Sequence, residues 1–118
     1  MNPAPWPVEL RHDARARVLH VVFDNGEAFA LPAELLRVES PSAEVQGHGA
    51  EHKQIVAGKA KVAIRAIEPV GHYAVRIAFD DGHDTGLYTW AYLHALGRDK
   101  EAVWQRYLAA LAARGLAR

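Results

Sequence analysis

The 118-residue chain contains no cysteine, and that one absence excludes disulfides, iron–sulfur ligation, thiolate zinc sites and cysteine nucleophiles together. It also lacks any excess of charge: 14 Lys and Arg balance 14 Asp and Glu, for a formal net charge of zero. A dedicated nucleic-acid binder would carry a basic surplus, so no nucleic-acid partner is expected. No apolar run approaches the roughly 20 residues needed to cross a bilayer. No charged-then-apolar leader opens the sequence either. The expectation is a cytoplasmic protein without membrane contact. What is present is ordinary for a globular chain, 50% hydrophobic and 24% charged residues. That is enough for one domain with a core of its own.

A short phrase occurs twice, Phe23-Asp24-Asn25-Gly26 and Phe79-Asp80-Asp81-Gly82. Each copy follows an apolar run, Val18–Val22 or Tyr73–Ala78, and each precedes a short helix-like segment, 32–37 or 90–96. Asn-Gly and Asp-Gly suit the left-handed backbone of tight hairpin turns, so the pattern predicts a repeated strand–turn–strand–helix unit. Strands are predicted at 6–11 (with Trp6, Val8 and Leu10 on one face), 18–23, 27–31, 62–66, 73–79 and 85–88. Glu68-Pro69-Val70-Gly71 reads as a turn, and residues 39–59 as a long loop without apolar periodicity. One helix is expected over 89–96, stopped by Gly97 at its C′ position. Another runs over about 99–114, with Asp99 as N-cap and Gly115 beyond its end. Its residues Val103, Trp104, Tyr107, Leu108 and Leu111 form one apolar face to cover a sheet. The fold class is α+β: a small, twisted, mainly antiparallel sheet covered by C-terminal helices.

The densest polar stretch is Asp80-Asp81-Gly82-His83-Asp84-Thr85. Its carboxylates around an imidazole suit a divalent cation, with His83, Asp81 and Asp84 as candidate ligands. The same residues equally make a turn whose side chains bind backbone N–H groups, and that reading is preferred. His48 and His52 have helical metal-site spacing, but Gly47 and Gly49 argue against a helix there. Gly58-Lys59 lacks the upstream glycine and the following hydroxyl of a phosphate loop. Ser40 and Ser42 have no base nearby in sequence, and no Gly-x-Ser-x-Gly elbow exists. No catalytic constellation is recognisable, and neither an enzyme nor a cofactor is expected.

Leu31–Arg37, Ile67–Gly71 and Phe79–Trp90, taken together, closely resemble the DUF971 family, also called the gamma-butyrobetaine hydroxylase-like N-terminal domain. The likeness runs from about 8 to 96, and the chain is identified as a stand-alone bacterial member. The resemblance implies a small α+β domain. It occurs alone, fused to P-loop ATPases of the iron–sulfur carrier type, or ahead of the catalytic domain of carnitine-pathway dioxygenases. In those dioxygenases it is not catalytic, contributes to dimer contacts, and binds a structural zinc through three cysteines and one histidine. The histidine corresponds to His83 and the cysteines to Ser40, Ser42 and Val45, so the resemblance implies a lost zinc site. It further implies an accessory or protein-interaction role linked to a protein partner, and it is compatible with a homodimer. Residues 39–59 and 82–92 are the expected interaction surfaces, with Arg37, His48, His83, Tyr88, Trp90 and Tyr92 as candidate contacts. The alternative is a small-ligand or metal-binding domain using His83, Asp81, Asp84 and His48 or His52.

Overall fold

The computed structural model describes residues 5–47 and 53–118. Its elements follow the order β1 (Pro7–Asp13), β2 (Val18–Phe23), β3 (Ala28–Pro32), α1 (Ala33–Val38), α2 (Ala43–Gln46), β4 (Ile64–Val70), β5 (Ala74–Phe79), β6 (Gly86–Thr89), α3 (Trp90–Arg98) and α4 (Lys100–Ala113). The strands form two antiparallel three-stranded sheets, β1-β2-β3 and β4-β5-β6, one for each copy of the repeat. The α+β class expected from the sequence is the class observed, with the strands divided between two sheets rather than joined in one.

The duplication extends to single hydrogen bonds. In the first copy the Gly26 N–H donates to the Phe23 carbonyl and the Phe23 N–H to the Glu27 carbonyl, at 3.0 and 2.8 Å. In the second, Gly82 donates to Phe79 and Phe79 to His83, at 3.1 and 2.9 Å. Gly26 and Gly82 take φ of 89° and 92°, the left-handed backbone that closes a three-residue hairpin loop. The aspartate after each phenylalanine clamps the neighbouring strand. Asp24 exchanges two bonds with the main chain of Trp6, and Asp80 two with that of Ala63. Each outer strand carries a register shift at its start, between Pro7 and Glu9 and between Ile64 and Ala66. Each third strand passes directly into a helix, at Pro32 and at Thr89.

Neither sheet has a core alone. Leu19, Val21, Phe23 and Leu31 of the first pack in one cluster with Val75, Ile77, Phe79 and Tyr88 of the second, with α1, α3 and Val103 of α4. A smaller cluster of Val38, Tyr107 and Leu111 seats the rest of α4 on the end of α1.

Several local expectations are corrected. The register shift in β1 breaks the proposed face of Trp6, Val8 and Leu10: Leu10 reaches the core, while Val8 and Trp6 are 64% and 51% exposed. Glu68-Pro69 is not a turn, because β4 runs through Pro69 to Val70. As an edge strand it tolerates the missing N–H. Tyr73 therefore falls outside β5 and is 54% exposed. Gly97 lies inside α3 rather than after it, because its bare Cα faces the ring of Phe29. Asp99 sits at the start of α4 without a side-chain capping bond, whereas Thr89 caps α3 by accepting from the Tyr92 N–H at 3.1 Å. The 39–59 stretch contains the short helix α2. Gly115 does lie just past α4 in left-handed backbone, with φ 65°.

Candidate functional site

The loop between β5 and β6 presents His83 to the segment after α1. Asp81 fixes that loop by accepting from the His83 N–H at 3.1 Å, while the His83 carbonyl closes the hairpin. The imidazole thus enters the protein at 7% exposure, its Nε2 2.9 Å from Ser40 Oγ and 3.4 Å from Ser42 Oγ. On its other side Nδ1 lies 3.2 Å from Glu44 Oε2, and Thr85 Oγ1 donates to the second Glu44 oxygen at 3.3 Å. A carboxylate at Nδ1 places the imidazole proton there, leaving Nε2 to accept from the Ser40 hydroxyl. Ser40 Oγ in turn accepts from the Ser42 N–H at 3.3 Å. Each polar atom in the chain Ser42 N–H, Ser40, His83, Glu44, Thr85 has a partner.

The serine without a base in sequence therefore has one in space. The order serine, imidazole, carboxylate is that of an activated nucleophile, but its setting is not. Ser40 is fully buried, and a Cβ on Gly86 would lie 2.5 Å from its Oγ, so no acyl group can approach it. The cluster is a hydrogen-bonded joint between the β5–β6 hairpin and the segment following α1. Glu44 was not singled out by any sequence signal, since it lies in a stretch without periodicity.

The residues corresponding to the zinc ligands of the resemblance do converge, Ser40 and Ser42 on His83, with Val45 buried nearby in α2. Two neutral hydroxyls already bonded to the imidazole, and a hydrocarbon side chain, do not fit a three-thiolate zinc site. Among the described residues no three His, Cys, Asp or Glu side chains are grouped to hold a metal ion.

Asp81 is shared by two cations, Arg37 Nε and Lys59 Nζ, both at 2.7 Å. Burial pushes its carboxyl up, but Lys59, the His83 N–H and Arg37 together outweigh burial and hold it well below the usual carboxylate range. Asp84 joins neither the His83 cluster nor this ion-pair group. Tyr88 is fully buried and donates to the Leu36 carbonyl at 2.5 Å; burial pushes its phenol up. The Tyr92 hydroxyl donates to the Glu39 carbonyl, and its phenol is pushed up to about 12 by burial and by the charge of Glu39. Trp90 donates its indole N–H to the His72 carbonyl at 2.8 Å and meets Trp6 edge-on, with ring centroids 6.2 Å apart. His48 and His52 lie outside the described residues.

Two fused β-β-β-α units with a closed polar joint define a small α+β domain built from two copies of one structural unit. The chain belongs to the family described as gamma-butyrobetaine hydroxylase-like, N-terminal, whose model matches residues 10–94. It is similar to two proteins solved by solution NMR. One is 42% identical, with 98% of this chain and 91% of that one covered and a TM-score of 0.86. The other is 48% identical, with 100% and 90% covered and a TM-score of 0.84. It is also similar to a crystallised protein of unknown function from Acidithiobacillus ferrooxidans, assigned to the DUF971 family. That likeness is 41% identical, covers 82% of this chain and 98% of that one, and has a TM-score of 0.69. No curated protein matches the chain. No helix among the described residues is long and apolar enough to cross a membrane.

Proposed function

We propose that this domain is a non-enzymatic accessory module that acts by binding another protein. The observation carrying this reading is an aromatic patch at the start of α3. Trp6 and Tyr73 are 51% and 54% exposed, Trp6 packs edge-on against Trp90, and the main-chain N–H of Trp90 donates to the main-chain carbonyl of Tyr73. Large aromatic side chains held at a surface by a rigid frame are the residues that anchor protein interfaces. The closed His83 cluster supports the same reading, because its one activated hydroxyl is shielded from substrates. The resemblance directs the partner to a P-loop ATPase of the iron–sulfur carrier type, with the domain assisting delivery of a cofactor it does not itself hold by thiolates.

The test is gentle purification of the tagged native protein from its own cells, beside a Trp6→Ala/Tyr73→Ala variant. A partner ATPase retained by the wild type and released by the folded variant is the expected result. Identical sets of bound proteins, or none with either, would remove the basis for the reading.

A further inference from the structure

Glu34 lies in the first turn of α1, 6% exposed, and a carboxylate so placed needs a cation. It receives one from the segment after α4. Arg118 donates through Nε at 3.0 Å and Nη2 at 2.7 Å, one bond to each Glu34 oxygen. The guanidinium also lies over Trp104, 5.3 Å from the ring centroid. One residue earlier, the Ala117 carbonyl accepts from the Gly58 N–H at 3.0 Å. These contacts recognise three things at once: a planar fork, a cation over an aromatic face, and the main-chain carbonyl one residue before the arginine.

The two partners are unequally held. Glu34 belongs to the core helix, while the Arg118 side chain is 51% exposed. Its segment leaves α4 through Gly115, in left-handed backbone, and a cavity of about 220 Å³ opens beside it between Leu35, Lys100 and Trp104. Lys100 does not compete for Glu34, since it donates to the Ala30 carbonyl at 2.7 Å. The receptor half is built into the fold, and the ligand half is a strap.

We propose that Glu34, Trp104 and the Gly58 amide form a recognition site for an arginine-bearing segment of a partner protein, closed in the free domain by Ala117-Arg118. The fork selects arginine over lysine, because an ammonium cannot make two parallel bonds to a carboxylate. Occupancy in cis raises the strap's effective concentration, so a partner must compete with it. None of the aromatic-patch or His83-cluster residues takes part, so the proposal stands apart from the function proposed above.

The test uses the full chain carrying Arg118→Ala and a fluorescent, amidated Leu-Ala-Arg peptide, with binding read by polarisation. The peptide should bind R118A, bind the wild type more weakly by about tenfold or more, and lose binding to R118A/E34Q. A Leu-Ala-Lys peptide should bind R118A about tenfold more weakly than Leu-Ala-Arg. No binding to folded R118A, equal binding to wild type and R118A, or binding that survives E34Q would overturn the proposal. Should R118A fail to fold, titrating the wild type with the same peptide and following the Gly58 amide by NMR carries the test. A saturable shift supports the site, and an unmoved amide overturns it.

Discussion

A methyl group added at Gly86 would meet Ser40 Oγ at 2.5 Å and Tyr88 Cε1 at 3.0 Å, so the cluster around His83 has no room to spare. Gly86→Ala should cost about 1–3 kcal/mol by overpacking, read as a lower urea midpoint at unchanged slope. Gly97 gives a sharper test because two effects oppose. Alanine inside a helix normally gains about 1 kcal/mol over glycine. Here its Cβ would lie 2.3 to 2.8 Å from three atoms of the Phe29 ring. Sterics should win, so Gly97→Ala is expected to destabilise; a gain in stability would show that Phe29 yields. Asp81 makes the pH prediction. Its folded carboxyl titrates below the unfolded one, so its stabilisation is complete above about pH 4 and drains away as the pH falls below that. The wild-type melting temperature should therefore drop more steeply below pH ~4 than that of Asp81→Asn. Parallel curves would contradict the ion-pair assignment. At this scale His83 was legible as a turn residue, but its bonds to Ser40 and Glu44 were not. They join segments about 40 residues apart, and no local pattern encodes such a meeting.

The elements repeat because their turns repeat. Asp24 and Asp80 occupy the same place after their phenylalanines and make the same two bonds to the strand beside them. Replacing either by alanine should cost about 0.5–1.5 kcal/mol, by similar amounts at the two sites, in urea unfolding. Unequal losses would mean that the duplication is geometric without being energetic. The hairpins and both C-terminal helices were readable in advance, since Asn-Gly, Asp-Gly and the spacing of Val103, Tyr107 and Leu111 are local signals. The run of β4 through Pro69 was not readable. Whether a strand lies at an edge, where proline is harmless, is decided by its neighbours. The exposure of Trp6 was hidden for a similar reason, because the register shift in β1 ends the alternation on which its placement rested.

Over the whole molecule, the two repeats bury their apolar faces in one shared cluster, and the His83 joint locks the second hairpin to the segment leaving the first unit's helix. The proposed role rests on that joint being complete in itself, with hydroxyls, imidazole and carboxylate satisfying one another. Thermal melting of the wild-type chain in excess zinc and in chelator tests this most directly. An ion bound by the folded state alone adds about 2.7 kcal/mol at roughly a hundredfold excess over its Kd, several degrees in Tm. The account predicts superimposable melts under the two conditions. A rise in Tm with zinc that disappears in His83→Ala would show that the joint is a metal site and would contradict it.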